Sequence, residues 1–143
     1  IIRTSWVYSK YGNNFVNTML RLAESKKELT IVGDQIGSPT YAADLATATM
    51  KIITALDTRH NVETRYGIYN YSNEGTLTWF DFAQAIFELK DIPMVLSKTT
   101  TAAYNAPASR PLWSLMSKNK IKQTFGVDVL HWREALKRCL NVK

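Results

Sequence analysis

The sequence predicts an α/β protein with mostly parallel strands and amphipathic helices, built as the C-terminal part of a larger α/β enzyme. Three observations carry that expectation. Short apolar or alternating runs take turns with segments of helical periodicity along the whole chain. The connection from the opening run through the first helix to Leu29-Val32 has the length of a βαβ crossover. The opening run itself, Ile1 to Tyr8, reads as a buried strand that needs neighbours on both edges, and few strands follow to provide them. The chain is therefore expected to be one part of a larger α/β enzyme, cut just before a central strand.

Four amphipathic helices, one short helix and three or four strands are expected, in the following order. Asn13 or Asn14 caps a helix carrying Phe15, Met19, Leu22 and Ala23 at helical spacing. Leu29-Thr30-Ile31-Val32 is a short strand stopped by Gly33-Asp34, and Asp34 to Thr40 is a loop of turn formers. Thr40 or Tyr41 leads into a helix with Leu45, Ala48, Ile52, Ile53 and Leu56 on one face. Residues 57–65 are polar and aperiodic, a loop that holds His60. Tyr66 to Tyr71 alternates as a half-buried strand. Thr78-Trp79-Phe80-Asp81 has the form of a capping box with Asp in the place of Glu, ahead of a helix burying Phe82, Ile86, Phe87 and Leu89. Met94-Val95-Leu96 is a strand, and Thr99 to Pro111 is a long irregular stretch of the kind that is usually functional or disordered. A short helix runs from Ser117 to Phe125 and stops at Gly126; Trp132, Ala135, Leu136, Cys139 and Leu140 mark the closing helix, with His131 as its cap.

Composition excludes several classes. With 45% apolar and 21% charged residues the 143-residue chain is an ordinary globular mixture. No apolar run approaches the roughly 18–20 residues of a membrane span. The net charge of +6 comes from scattered Lys and Arg rather than a block, so it reads as solvated helix faces and not as a nucleic-acid or membrane surface. The single Cys139 falls on an apolar stripe as a small buried hydrophobe, in keeping with a cytoplasmic location. No Cys/His cluster suggests zinc. None of the six glycines has dinucleotide-fingerprint spacing, and no tyrosine is followed by Lys four residues later. The chain thus carries no complete catalytic constellation. Ligands of such sheets bind beyond the carboxyl ends of the strands, which singles out Ser5–Asn14, Gly33–Thr40 and Tyr71–Thr78 as site loops.

Arg3-Thr4-Ser5-Trp6-Val7-Tyr8, Gly12-Asn13-Asn14-Phe15-Val16, Asp34-Gln35-Ile36-Gly37-Ser38-Pro39-Thr40 and Arg110-Pro111 occur in this order. With Tyr71-Ser72-Asn73-Glu74-Gly75, Trp79 to Ala83 and Trp132 to Leu136, the set resembles the dTDP-4-dehydrorhamnose reductase family of extended short-chain dehydrogenase/reductases. The resemblance implies a full enzyme that uses NADPH, or NADH, to reduce the C4 ketone of dTDP-4-dehydro-L-rhamnose to dTDP-L-rhamnose. The dinucleotide and the catalytic Thr, Tyr and Lys would lie in an N-terminal part outside this chain. Residues 1–32 would finish the Rossmann core, and 33–143 would hold the sugar nucleotide.

On that resemblance each candidate residue has a role and a plainer alternative. Trp6 offers an indole face to a deoxysugar or lies near the nicotinamide, or it packs in the core. Thr4 and Ser5 hydrogen-bond the nicotinamide carboxamide. Asn13 and Asn14, at a helix N-terminus, meet an anionic or carbonyl group, although capping explains one of them. Gln35 bonds sugar hydroxyls or serves the turn. Arg110, a lone cation fixed by Pro111, suits a diphosphate bidentately, or it is a surface Arg. Some members place a Glu shortly after Pro-Thr to bind magnesium at a dimer interface. Ala43 aligns there and Asp44 points about 100° away on a helix, which argues against a magnesium-bridged dimer while leaving a homodimer open. A non-catalytic relative, of the kind that serves as regulatory subunit of methionine adenosyltransferase, is the alternative reading.

Overall fold

A computed structural model describes residues 1–57 and 65–142. The chain runs β1 (Ile2–Arg3), β2 (Val7–Tyr8), α1 (Phe15–Ala23), β3 (Glu28–Val32), β4 (Ile36–Gly37), β5 (Thr40–Tyr41) and α2 (Ala42–Asp57). It continues with β6 (Tyr69–Asn70), β7 (Leu77–Thr78), α3 (Trp79–Leu89), β8 (Val95–Thr99), α4 (Thr101–Tyr104), α5 (Asn119–Phe125) and α6 (Trp132–Leu140). The strands associate in pairs. β1 with β6, β2 with β5 and β3 with β8 are parallel, and β4 with β7 is antiparallel. The fold is α/β with mostly parallel strands, as the alternation of periods predicts.

Helix ends follow local chemistry. Asn14 caps α1 by accepting from the Asn17 amide at 3.2 Å. Thr78 and Asp81 form a complete capping box on α3, the Thr78 hydroxyl accepting from the Asp81 amide and the Asp81 carboxylate from the Thr78 amide. Gly126 closes α5 in the left-handed region at φ 63°, and His131 caps α6 through Nδ1.

Two apolar clusters result. The larger packs α1, α3 and α6 around β2 and β3, with Phe82 fully buried at its centre against Tyr8, Phe15 and Trp132. Burial of one such ring stabilises by about 1.5–3 kcal/mol. Cys139 is buried here, and burial pushes its thiol up to about 11, so it behaves as a hydrophobe. The smaller cluster joins Ala48 and Ile52 of α2 to Tyr69, Tyr71, Ile121 and Phe125.

Several expectations are corrected. The opening run is not one buried strand: it breaks at Trp6, which takes φ 50°, and Ile1 and Val7 lie exposed. Among the described residues β1 pairs only with β6. The connection through α1 does not return beside the opening strands, because β3 joins β8 instead. The loop over Asp34–Thr40 contains two short strands, since β7 and β2 supply partners that local sequence does not reveal. The Tyr66–Tyr71 strand shrinks to Tyr69–Asn70, with Tyr66 and Ile68 exposed. Thr101–Tyr104 forms a helical turn inside the irregular stretch. Ile53 is exposed rather than on the buried face of α2. His60 and most of the loop read over residues 57–65 lie outside the described residues.

Candidate functional site

The strand-end loops meet at Trp6. Its left-handed backbone costs about 1–3 kcal/mol for a residue with a side chain, and such strain persists only where surroundings enforce it. Here the surroundings are plain. The indole stacks on Trp79 with ring centroids 3.7 Å apart and planes 15° apart, and its edge lies on Gly37, where an added Cβ would stand 2.8 Å from the ring. Thr40 locks the turn beneath: its amide donates to the Trp6 carbonyl at 3.1 Å and its hydroxyl to the Ser5 carbonyl at 2.7 Å.

Thr4 and Ser5 join the same knot. Because the Thr40 hydroxyl proton goes to Ser5, the 3.1 Å contact between the Thr4 and Thr40 hydroxyls must be donated by Thr4. Ser5 donates to the Ser38 carbonyl at 3.2 Å. Both hydroxyl protons are therefore spent within the chain, and each oxygen keeps lone pairs. Asn13 is exposed. Asn14 caps α1 through Oδ1 while its amide group donates to the Ser9 and Tyr11 carbonyls at 2.9 and 3.1 Å.

Beyond the Trp6–Trp79 stack opens a hollow of about 790 Å³. Its lining includes Phe15 and Trp79, the buried Gln35 and Ile31 and, as an exposed rim, Tyr104 and Arg110. Gln35 and Arg110 thus line one hollow; Trp6 stacks on Trp79 but, like Thr4, Ser5, Asn13 and Asn14, is not among the lining residues. Gln35 is 6% exposed and accepts from Trp79 Nε1 at 3.2 Å while donating to the Thr101 hydroxyl at 3.1 Å. One amide hydrogen and one oxygen lone pair remain. Asp34, next to it, accepts from the Thr101 amide and hydroxyl; these bonds hold its carboxyl below the usual range.

The loop that carries Gln35 is pinned from below by Asn73, which is fully buried. Its Oδ1 accepts from the Tyr41 amide at 2.8 Å, and its amide group donates to Asp44 at 2.9 Å and to the Leu130 carbonyl at 3.3 Å. Its own carbonyl accepts from the Ser38 hydroxyl. Asp44 also receives Arg138 at 2.6 Å. Glu74 follows, paired with Lys118 and Lys122; burial alone would raise its carboxyl, but the two ammonium groups hold it low. Among the described residues no cluster of three or more His, Cys, Asp and Glu stands ready for a metal, and no helix is long and apolar enough to cross a membrane.

All 143 residues match the family described as the RmlD substrate binding domain. The chain belongs to that family. The RmlD-type chain is 43% identical to a dTDP-4-dehydrorhamnose reductase of Aggregatibacter actinomycetemcomitans over 96% of its own length and 48% of the relative's. It is 45% identical to the spore coat polysaccharide biosynthesis protein SpsK of Bacillus subtilis, covering 98% of itself and 46% of that protein. Among solved structures, the Bacillus anthracis dTDP-4-dehydrorhamnose reductase in complex with NADP superposes with a TM-score of 0.88 at 40% identity, over 99% of this chain and 47% of that one. The resemblance read from the ordered motifs is thereby borne out, and the chain spans about half the length of the curated relatives it matches.

Sequence reasoning missed Trp79, Phe15 and Tyr104 as walls of the hollow in this RmlD domain, because capping and core periodicity already accounted for the first two. The glycine in the Gln35-Ile36-Gly37 run was a usable signal for close approach. Gly37→Ala would place a Cβ 2.5 Å from the Ser114 hydroxyl and against Trp6. The expected cost is about 1–3 kcal/mol of unfolding free energy, together with a changed near-ultraviolet circular dichroism band from the displaced Trp6–Trp79 pair. A wild-type band with an unchanged denaturation midpoint would contradict this packing.

Proposed function

We propose that this chain is the sugar-nucleotide-binding part of an NADPH-dependent dTDP-4-dehydrorhamnose reductase, acting on the C4 ketone of dTDP-4-dehydro-L-rhamnose. Residues 1–32 complete the dinucleotide-binding core, and residues 33–143 hold the dTDP-sugar. The observation that carries this reading is the hollow in which an aromatic wall, Trp79, and a guanidinium, Arg110, face one space. Arg110 binds the diphosphate through paired charge-assisted hydrogen bonds, and the Trp79 indole, its N–H given to Gln35 and one face to Trp6, packs its remaining apolar surface on the deoxysugar or base. Gln35 offers its remaining hydrogen and lone pair to sugar hydroxyls.

Thr4 and Ser5 fit a nicotinamide carboxamide as acceptors, since their protons are spent inward and their lone pairs are not. When bound, NADPH supplies the hydride; this chain's residues hold the substrate in reach, a contribution that can amount to several kcal/mol of the barrier. NADPH is preferred to NADH because a similar structure was solved with NADP. The buried thiol of Cys139 suits a cytoplasmic setting.

The test is an assay of the full-length protein with dTDP-4-dehydro-L-rhamnose and each nicotinamide, followed at the reduced-nicotinamide absorbance. Substrate-dependent oxidation, faster with NADPH, is expected. No oxidation with either cofactor would overturn the reading in favour of a partner-binding relative without catalysis.

A further inference from the structure

We propose that Asp34 is a positioning residue, which sets the place of Arg110 by latching the segment Thr101–Leu112 to the strand-end loop. The inference rests on the reading of the hollow as a sugar-nucleotide site and extends it to a residue that touches no ligand.

The geometry behind it is a double grip. At one end of the segment the Asp34 carboxylate accepts from the Thr101 amide at 2.9 Å and from the Thr101 hydroxyl at 2.7 Å. The neighbouring Gln35 amide donates to that same hydroxyl. At the other end the Ile36 amide donates to the Leu112 carbonyl, and the Ser114 amide donates to the Ile36 carbonyl, both at 2.8 Å. Three consecutive residues, Asp34, Gln35 and Ile36, thus hold both ends of a twelve-residue loop. Such a loop with closely held ends is a compact unit of the kind that often carries function.

Among the described residues little else ties the loop to the rest of the chain. Between the two grips Ala102 to Asn105 and Pro107 to Pro111 are exposed, and only Ala106 is partly buried. Apolar burial therefore contributes little to the loop's position, and the ends decide where Tyr104 and Arg110 stand at the rim of the hollow. The grip at Leu112 is made by backbone atoms. The grip at Thr101 is made by a side chain, ionised because Thr101 stabilises its charged form. A charged acceptor makes the stronger bond of the two kinds, so the Asp34 end is the one that substitution can release.

The experiment measures binding of dTDP and of NADPH to the full-length protein by titration calorimetry. Asp34→Ala is expected to weaken dTDP about tenfold, the loss of one charge-assisted anchor, and to leave NADPH within about twofold. Arg110→Ala alone also weakens dTDP, and the double variant Asp34→Ala/Arg110→Ala should bind no more weakly than Arg110→Ala, because Asp34 acts through Arg110. Thr101→Val, which keeps the amide and loses the hydroxyl, falls between, and Thr101→Ser restores the affinity. Additive losses in the double variant, or equal weakening of NADPH, would overturn the latch. Wild-type dTDP affinity in Asp34→Ala with a weakened Arg110→Ala overturns the latch alone. Wild-type affinity in Arg110→Ala removes the diphosphate reading and the latch with it. Should Asp34→Ala fail to fold, the Thr101→Val and Thr101→Ser pair decides the same question.

Discussion

Arg110→Ala in the full-length protein should raise the KM for the dTDP-sugar by about ten- to a hundredfold with a small change in kcat. The size follows from chemistry: hydrogen bonds to charged groups contribute about 1.5–3 kcal/mol each, and each 1.4 kcal/mol is about tenfold in affinity. The direction follows from place. Arg110 lines the hollow, which Thr4, Ser5 and Trp6 do not, so under the proposed reading it orients the diphosphate and leaves the reacting carbon alone. Arg110→Lys should recover part of the loss, because an ammonium keeps the charge without the planar fork. An unchanged KM would remove Arg110 from the site.

Asn73→Ala should be the costliest single change to stability among the polar residues discussed, about 2–4 kcal/mol by chemical denaturation. Asn73 is fully buried and serves the Tyr41 amide, the Leu130 carbonyl and Asp44 at once. Its removal strands buried polar groups, each worth about 1–3 kcal/mol when left without a partner. Arg138→Ala removes a second partner of Asp44, whose side chain is only 7% exposed, but Arg138 itself is 53% exposed, so the space it leaves opens to water that can solvate the carboxylate. The expected order is therefore Asn73→Ala well below Arg138→Ala in stability. If Arg138→Ala were the more damaging, the support of the Gln35 loop would come from the ion pair and not from the buried amide.

What the sequence disclosed was chemistry that acts within a few residues. Asn14, Thr78 with Asp81, Gly126 and His131 each satisfy or end a helix through near neighbours, so their roles are written locally. Gln35 was visible as a polar residue in a turn-rich loop, and Arg110 as a lone cation beside a proline. The break at Trp6 was not visible, because its backbone angle is enforced by Trp79 and Gly37 from distant parts of the chain. Asn73 was visible only as part of the Tyr71–Thr78 loop, and the packing of Asp44 and Leu130 around it makes it a buried strut. The two-residue strands were hidden for the same reason: β4 and β5 exist through β7 and β2, and neither has a run long enough to show alternation.

The parallel pairing of β3 with β8 has a consequence for biogenesis. Glu28 meets Val95 and Val32 meets Thr99, so everything from Gly33 to Met94 must leave the ribosome before β3 acquires its mate. At roughly 5–20 residues per second that wait is on the order of seconds, during which Leu29, Ile31 and Val32 lack their final cover. High contact order of this kind makes for slow acquisition of the native state, and nascent chains stalled short of Val95 should be bound by holdase chaperones far more than chains released beyond Thr99.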